Sequence, residues 1–328
     1  MQTGTISSGA RCRVAITRAL PPQAMDRFGA RHEVWVNPDD RVLSPAELMQ
    51  AAAAHDVLVV TSFDRCDARM IAAAPPSLRI LATYSAGLEH IDLDAARQRG
   101  LPVLCTPDVL SDAVAEMAIL LMLGAARRVH EGDHFLYSGQ WKGWTPTQLV
   151  GVEITGRRLG ILGMGSIGRT IARRARGFDM GVHYHNRKRL SPDLEQGAIH
   201  HATLEELLAQ SDVLVIGAPS TPATRGLLNA VRIAAMPEGA IVVNIARGDL
   251  IDDDALIAAL SSGRLAAAGL DVFNGEPRLD ERYKSLPNVF LQPHQGSSTL
   301  TARLAMAQIL LDGIDAVQAG RPAINRVA

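Results

Sequence analysis

One ten-residue stretch leaves this chain few ways to fold. Gly160-Ile161-Leu162-Gly163-Met164-Gly165-Ser166-Ile167-Gly168-Arg169 reads as the end of a buried strand, a tight turn and the start of a helix. Gly163, Gly165 and Gly168 fill the fixed places of G-x-G-x-x-G. The first glycine allows the turn, the second lets backbone approach a pyrophosphate, and the third lets helix and strand pack closely. A helix over residues 166–177 would aim its amino-terminal amides and the positive end of its dipole at phosphates. A glycine turn can also bind nothing, so its meaning depends on what surrounds it.

The surroundings are α/β throughout. Strands are predicted over 13–17, 33–36, 56–60, 78–82 and 102–104, with helices between them. Pro21-Pro22 opens one helix, and Ser44-Pro45-Ala46-Glu47 opens another as a capping box. A long helix is predicted over 108–128, then an irregular stretch over 130–150 containing Trp141 and Trp144. A second series follows, with strands at 158–162, 181–185, 212–217, 240–245, 266–272 and 289–292, and helices that include 203–210, 253–261 and 299–319. Strands separated by helices imply parallel sheets covered on both faces. Two doubly wound units are expected, and the glycine turn belongs to the second. Periodicity does not say which unit takes the last helix.

Composition narrows the setting. The 328 residues are 47% hydrophobic and 20% charged, enough for two cores. The formal net charge of −1 and the lack of a basic tract argue against nucleic acid or a polybasic membrane contact. Cys12, Cys66 and Cys105 are scattered and read as buried small hydrophobes in a reducing compartment, not as a disulfide or zinc framework. Residues 1–10 read as a polar, frayed tail without a secretory signal, and the apolar run at 118–126 is too short to span a bilayer. A cytoplasmic protein without a membrane partner is expected.

Four later segments could carry chemistry. Asn186, followed by Arg187 and Lys188, stands where a dinucleotide fold would place an acid on the ribose 2′-hydroxyl. A carboxylate about 4 Å from a 2′-phosphate would cost about 4 kcal/mol unscreened at an effective dielectric near 20. Its replacement by Asn186 beside two cations favours NADP(H), with NAD(H) still possible; the alternative is a solvated basic turn. His183 and His185 share a strand face, but no third metal ligand is placed, and no metal is expected. Arg247 follows the strand end at Asn244-Ile245-Ala246 and offers a planar fork suited to a carboxylate, or is an ordinary surface arginine. Asp271 to Pro277, including Glu276, and Pro293-His294-Gln295-Gly296 also follow strand ends. A histidine there can move a proton near neutral pH, and a carboxylate can orient its ring. Spacing does not show that Glu276 and His294 meet.

Taken in order, seven segments resemble the D-2-hydroxyacid dehydrogenases, in particular their glyoxylate and hydroxypyruvate reductases. These segments are 84–92, Thr106-Pro107 with 113–116, 160–169, 218–222, 244–248, 271–277 and 293–297. The resemblance spans nearly the whole chain. It implies a flavodoxin-like substrate-binding domain (1–105 with 299–328) and a Rossmann dinucleotide-binding domain (106–298), with a cleft that closes between them. It implies NAD(P)-dependent reduction of a small 2-oxo acid. Arg247 would grip the substrate, His294 would donate the proton, and Glu276 would hold His294 and raise its pKa. Ser85, Ala86, Gly87 and Leu88 would form the substrate-carboxylate loop. Ser166, Ile167, Ala218, Pro219, Ser220, Ile245, Ala246 and Gly296 would line the cofactor cleft, and Asp271 would meet the nicotinamide carboxamide. A homodimer is implied, with the region from Leu110 to Trp144 at its interface. Trp141 and Trp144 read as interface or pocket residues, or else as buried anchors. Phosphite and 2-ketogluconate-type enzymes share the fold and remain alternatives. A non-catalytic, dinucleotide-sensing corepressor is disfavoured by the lack of long disordered tails.

Overall fold

The structure is a computed structural model that describes residues 11–328; the tail expected over residues 1–10 lies outside them. The first series of elements is β1 (Arg13–Ile16), α1 (Pro22–Arg31), β2 (Glu33–Val36), α2 (Pro45–Ala54), β3 (Val57–Val60), α3 (Ala68–Ala73), β4 (Ile80–Thr83), α4 (Leu93–Arg99) and β5 (Val103–Leu104). Two helices follow, α5 (Ser111–Ala126) and α6 (Val129–Tyr137). The second series is β6 (Arg158–Leu162), α7 (Ser166–Ala175), β7 (Gly181–His185), α8 (Pro192–Glu195), β8 (Ile199–His200), α9 (Leu204–Ala209), β9 (Val213–Ile216), α10 (Ala230–Ala234), β10 (Ala240–Asn244), α11 (Asp253–Ser261), β11 (Leu265–Leu270), β12 (Val289–Leu291) and α12 (Leu300–Gln318).

The chain divides into two compact units. One runs up to Leu110 and takes up again over Ser297–Ala328; the other is Ser111–Gly296. The first unit holds a parallel five-stranded sheet of order β2-β1-β3-β4-β5. Val57-Leu58-Val59-Val60 in β3 is buried at every position, as a strand covered on both faces must be. Ser44 and Glu47 cap α2 reciprocally, the side-chain and backbone pairs closing at 3.3 and 2.8 Å. The segment after Ser297 joins this unit through α12, which packs on α1. Arg31 Nη1 reaches Asp312 at 3.1 Å and Asp315 at 3.0 Å. Near the carboxyl end, buried Asn325 donates from Nδ2 to the carbonyls of Cys105 (3.0 Å) and Ile309 (3.1 Å).

The second unit holds seven parallel strands in the order β12-β11-β10-β9-β6-β7-β8. Strand order therefore runs one way from β6 to β8 and the other way from β9 to β12. The reversal falls between β6 and β9, which is where open α/β sheets bind ligands. Val213-Leu214-Val215-Ile216 in β9 is buried at each residue. Each such side chain contributes about 1.5–3 kcal/mol by leaving water. Helix α5 lies against β10, β11 and β12, and ten of its residues are buried. A single amphipathic stripe would not allow that; its near-continuous apolar sequence does.

One expectation is corrected and one open alternative is closed. Residues 129–137 form the helix α6, not irregular chain. Arg128, at φ 55°, ends the preceding helix and starts the next, pairing with Glu131 at 2.6 and 2.7 Å. No residue of α6 is buried, and the polar run His130-Glu131-Gly132-Asp133-His134 at its centre hides it from an apolar-periodicity reading. Trp141 and Trp144 are not buried anchors: they are 50% and 79% exposed. The three cysteines are free and buried.

Candidate dinucleotide and acid–base site

The glycine turn stands at the reversal point of the second sheet. Gly163 adopts φ 95°, and a Cβ there would meet the Ala218 nitrogen at 2.7 Å. The turn after β6 thus touches the segment after β9, where Ala218, Pro219 and Ser220 lie. Gly168 packs so closely that a Cβ would sit 2.6 Å from the Gly163 carbonyl oxygen. Gly165 differs: a Cβ on it would enter open space. It also precedes α7 without any side-chain cap. No hydrogen bond among the described residues takes up the amides of Gly165, Ser166 or Ile167. Open space, unclaimed amides and a helix dipole fit a pyrophosphate.

The turn after β7 meets the glycine turn through Asn186. Its Oδ1 accepts the Met164 amide at 2.7 Å, and its Nδ2 donates to the Met164 carbonyl at 3.4 Å. Arg187 and Lys188 are exposed and make no side-chain hydrogen bond or ion pair among the described residues. Arg189 is committed to Glu195, at 2.7 and 3.1 Å. His183 Nδ1 lies 2.9 Å from His201 Nε2, and His185 Nδ1 lies 2.9 Å from the His201 carbonyl. Among the described residues no group of three or more side chains is placed to hold a metal ion.

Ends of later strands bring the remaining groups together. His294 Nδ1 lies 2.6 Å from Glu276 Oε2, while Glu276 Oε1 accepts the Phe273 amide at 2.8 Å. A carboxylate only accepts, so Nδ1 carries the hydrogen of that bond and Nε2 is the nitrogen left for other chemistry. Burial pushes the Glu276 carboxyl up. The hydrogen bond and charge of His294, the Phe273 amide and the charge of Arg247 outweigh it and hold the group below its ordinary value. His294 itself adopts φ 54°, a left-handed conformation that costs of order 1 kcal/mol without support. Asp271 supplies the support. Its carbonyl accepts the His294 amide at 2.8 Å, and its two carboxylate oxygens accept the amides of Gln295 and Gly296, both at 2.7 Å. Asp271 is 1% exposed, and that burial outweighs its amide bonds and raises its pKa.

Arg247 is placed by two neighbours that residue type alone does not single out. Buried Asn244 folds the turn: its Oδ1 accepts the Ala246 amide at 3.1 Å and its Nδ2 donates to the Arg247 carbonyl at 2.8 Å. Gly248 then passes so near the Glu276 segment that a Cβ would lie 1.9 Å from the Phe273 carbonyl carbon and 2.1 Å from the Asn274 nitrogen. Ile245 is buried and Ala246 half-buried on the same turn. Ser220 Oγ donates to Asp249 Oδ2 at 2.7 Å, tying the segment after β9 to the segment after β10. An asparagine ending a strand before a turn is a readable signal; the close approach at Gly248 is not.

In the first unit, Ser85–Leu88 follow β4. Ser85 Oγ donates to the Gly87 carbonyl at 2.7 Å and lies 2.8 Å from Thr83 Oγ1. The Ala86 and Gly87 amides are not taken up by any hydrogen bond among the described residues. Such a loop can receive an anion.

A seven-stranded parallel sheet with a glycine turn at its reversal point defines a dinucleotide-binding α/β protein. Residues 119–296 match the profile of the D-isomer specific 2-hydroxyacid dehydrogenase, NAD binding domain. Across 94% of its length the chain is 43% identical to glycerate dehydrogenase of Hyphomicrobium methylovorum, covering 96% of that protein. A Polaromonas sp. JS6 66 protein assigned to the NAD-binding, D-isomer-specific 2-hydroxyacid dehydrogenases superposes with a TM-score of 0.93 at 50% identity, over 97% of this chain and 100% of that one. The NADPH-dependent glyoxylate/hydroxypyruvate reductase of Sinorhizobium meliloti, in complex with NADP and malonate, gives 0.86 at 31% identity, over 97% of each chain. The chain belongs to the D-isomer-specific 2-hydroxyacid dehydrogenase family. It is thus an oxidoreductase that uses a nicotinamide dinucleotide on small 2-oxo and 2-hydroxy acids. Among the described residues no helix is long and apolar enough to cross a membrane.

Proposed function

We propose that this protein reduces glyoxylate, hydroxypyruvate or a similarly small 2-oxo acid to the D-2-hydroxy acid, with NADPH preferred and NADH accepted. The observation that carries the reading is the 2.6 Å contact between His294 and Glu276, on strand ends of the sheet that also bears Arg247 and the glycine turn. The names of the Hyphomicrobium and Sinorhizobium relatives support the substrate class.

The nicotinamide, when bound, supplies hydride to the carbonyl carbon. His294 Nε2 donates the proton to the carbonyl oxygen, and Glu276 keeps the ring turned so that Nε2 faces outward. Arg247 holds the carboxylate and carbonyl of the acid by its planar fork. Asp271 fixes the turn carrying His294; each of its oxygens keeps a lone pair for the nicotinamide carboxamide. In the reverse direction the neutral ring accepts the alcohol proton.

Coenzyme preference is read from the turn after β7. Asn186 puts no carboxylate beside the ribose, and Arg187 and Lys188 stand exposed for a 2′-phosphate. Asn186→Asp with Arg187→Ala tests this with little collateral damage, because an aspartate oxygen can still accept the Met164 amide. Steady-state rates with NADPH and NADH over a 2-oxo acid panel should shift toward NADH in that variant. An unchanged coenzyme ratio would place ribose recognition elsewhere. A homodimer is proposed from four large apolar side chains exposed near one another in sequence, Leu136, Tyr137, Trp141 and Trp144 (55%, 86%, 50% and 79%), since exposed apolar patches mark protein–protein contacts. Light scattering that gives the monomer mass would refute it.

A further inference from the structure

The turn after β7 is held at both ends. At its start Asn186 grips Met164, as described above. At its far end stands Glu195, a carboxylate only 6% exposed. It accepts from Arg189 Nε at 2.7 Å, from Arg189 Nη2 at 3.1 Å and from the Tyr184 hydroxyl at 2.6 Å. The same hydroxyl accepts the Leu190 amide at 3.1 Å. Tyr184 is fully buried. Helix α8, which carries Glu195, is itself anchored: Arg176 Nη2 donates to the carbonyls of Gln196 at 2.7 Å and Glu195 at 3.4 Å. Arg187 and Lys188 lie between these fixed ends.

Strand pairing does not account for this network. The ladder of β7 is complete at His185, paired with Leu162, before the turn begins. What the buried carboxylate fixes is the path from Asn186 to Leu190. We propose that Glu195 and Tyr184 are positioning residues for coenzyme choice. Together with Arg189 they latch the basic turn in the shape that presents Arg187 and Lys188 to the ribose 2′-phosphate. This rests on the reading of that turn as the phosphate-binding element. Arg189 then works as a strut, and the phosphate is met by the two cations before it.

Electrostatics makes the proposal testable by sign. Glu195 is an anion near a site for an anion. If only its charge mattered, Glu195→Gln would tighten NADPH binding, and the freed Arg189 would add to the gain. A latch predicts the opposite, because a loosened turn must be ordered again at each binding event.

The test uses the full chain. Glu195→Gln, Tyr184→Phe and the double variant Arg187→Ala/Lys188→Ala are compared with the native protein for NADPH and NADH affinity by fluorescence titration, for kcat and for Tm. Glu195→Gln and Tyr184→Phe are each expected to weaken NADPH binding about 3- to 10-fold while NADH affinity and kcat stay within about twofold. NADPH bound as tightly or more tightly by Glu195→Gln would overturn the latch and make Arg189 a direct ligand. Equal loss of both coenzymes with a lowered Tm would reduce the network to a general structural role. Should Glu195→Gln not fold, Tyr184→Phe carries the test, since it changes no formal charge. If Arg187→Ala/Lys188→Ala leaves the coenzyme ratio unchanged, the reading of the turn itself fails; if that ratio collapses while the latch variants behave as native, only the latch fails.

Discussion

Gly248→Ala is expected to disable the enzyme without touching any group that performs chemistry. A Cβ at Gly248 would lie 1.9 Å from the Phe273 carbonyl carbon, 2.1 Å from the Asn274 nitrogen and 2.3 Å from the Phe273 oxygen. All three are backbone atoms, so no side-chain rotation relieves the clash. Reaching ordinary contact at 3.4 Å requires the two segments to part by about 1.5 Å. One segment carries Arg247, next in sequence to Gly248. The other carries Glu276 and, through its 2.6 Å bond, sets the ring of His294. Misplacement by about 1 Å costs of order 100-fold in rate. A fall of at least that size in kcat/KM for glyoxylate or hydroxypyruvate is expected, about 2.7 kcal/mol of transition-state stabilisation. Overpacking should also cost about 1–3 kcal/mol of stability, visible as a Tm lowered by several degrees. The glycine turn lies on a different strand end, but Ile245, Ala246 and the Ser220–Asp249 bond belong to the expected coenzyme cleft beside Gly248, so NADPH affinity should fall too, by less than kcat/KM. Steady-state kinetics, fluorescence titration and a thermal melt check the three parts. Native kcat/KM with a native Tm would refute the claim that this close approach places Arg247 against Glu276.

Three further outcomes are expected. His294→Ala should lower turnover about 10²- to 10⁴-fold with little change in NADPH affinity; near-native turnover would remove His294 from the proton-donor role. Arg247→Ala should mainly raise KM and lower kcat for the 2-oxo acid, and unchanged kinetics would exclude it as the anchor. His32 is 2% exposed, and neither ring nitrogen finds a hydrogen-bond partner among the described residues. Burial lowers its pKa below the ordinary 6.5, against the opposing pull of Asp315, whose Oδ1 lies 3.5 Å from Nε2. The unfolded chain therefore binds this proton more readily, so the contribution of His32 to stability is complete above about pH 6.5 and declines as pH falls below it. Urea melts between pH 7.5 and 5 should show that slope, and His32→Leu should flatten it; an equal slope in the variant would assign the titration to another group.

Much of this is legible from the chain alone, for identifiable reasons. Residues Arg158–Leu162 and Gly181–His185 are strands with the bounds expected of them, because an apolar run ending at glycine or at a polar cluster has few other uses. The capping box at Ser44 and Glu47 is local chemistry and is present as expected. Helix α6 escapes such a reading because local pattern reports burial, and α6 buries nothing. Glu195 escapes it too, because an acid in a polar stretch looks solvated. Only the arrangement of Tyr184 and Arg189 around it shows a buried carboxylate.

Local order along the chain is therefore determined by the sequence itself: alternating strands and helices, a glycine turn that must bend, and a basic turn without an acid. These depend on backbone sterics and side-chain periodicity within a few residues. The tertiary structure decides what depends on distant segments. It brings Glu276 to His294 and Gly248 against Phe273, each pair carried on separate strand ends. It joins α12 to α1, where Arg31 meets Asp312 and Asp315 across 281 and 284 residues of chain. Periodicity describes which face of an element is apolar. Which other face covers it is set by the packing of whole elements, and no window of neighbouring residues contains that information.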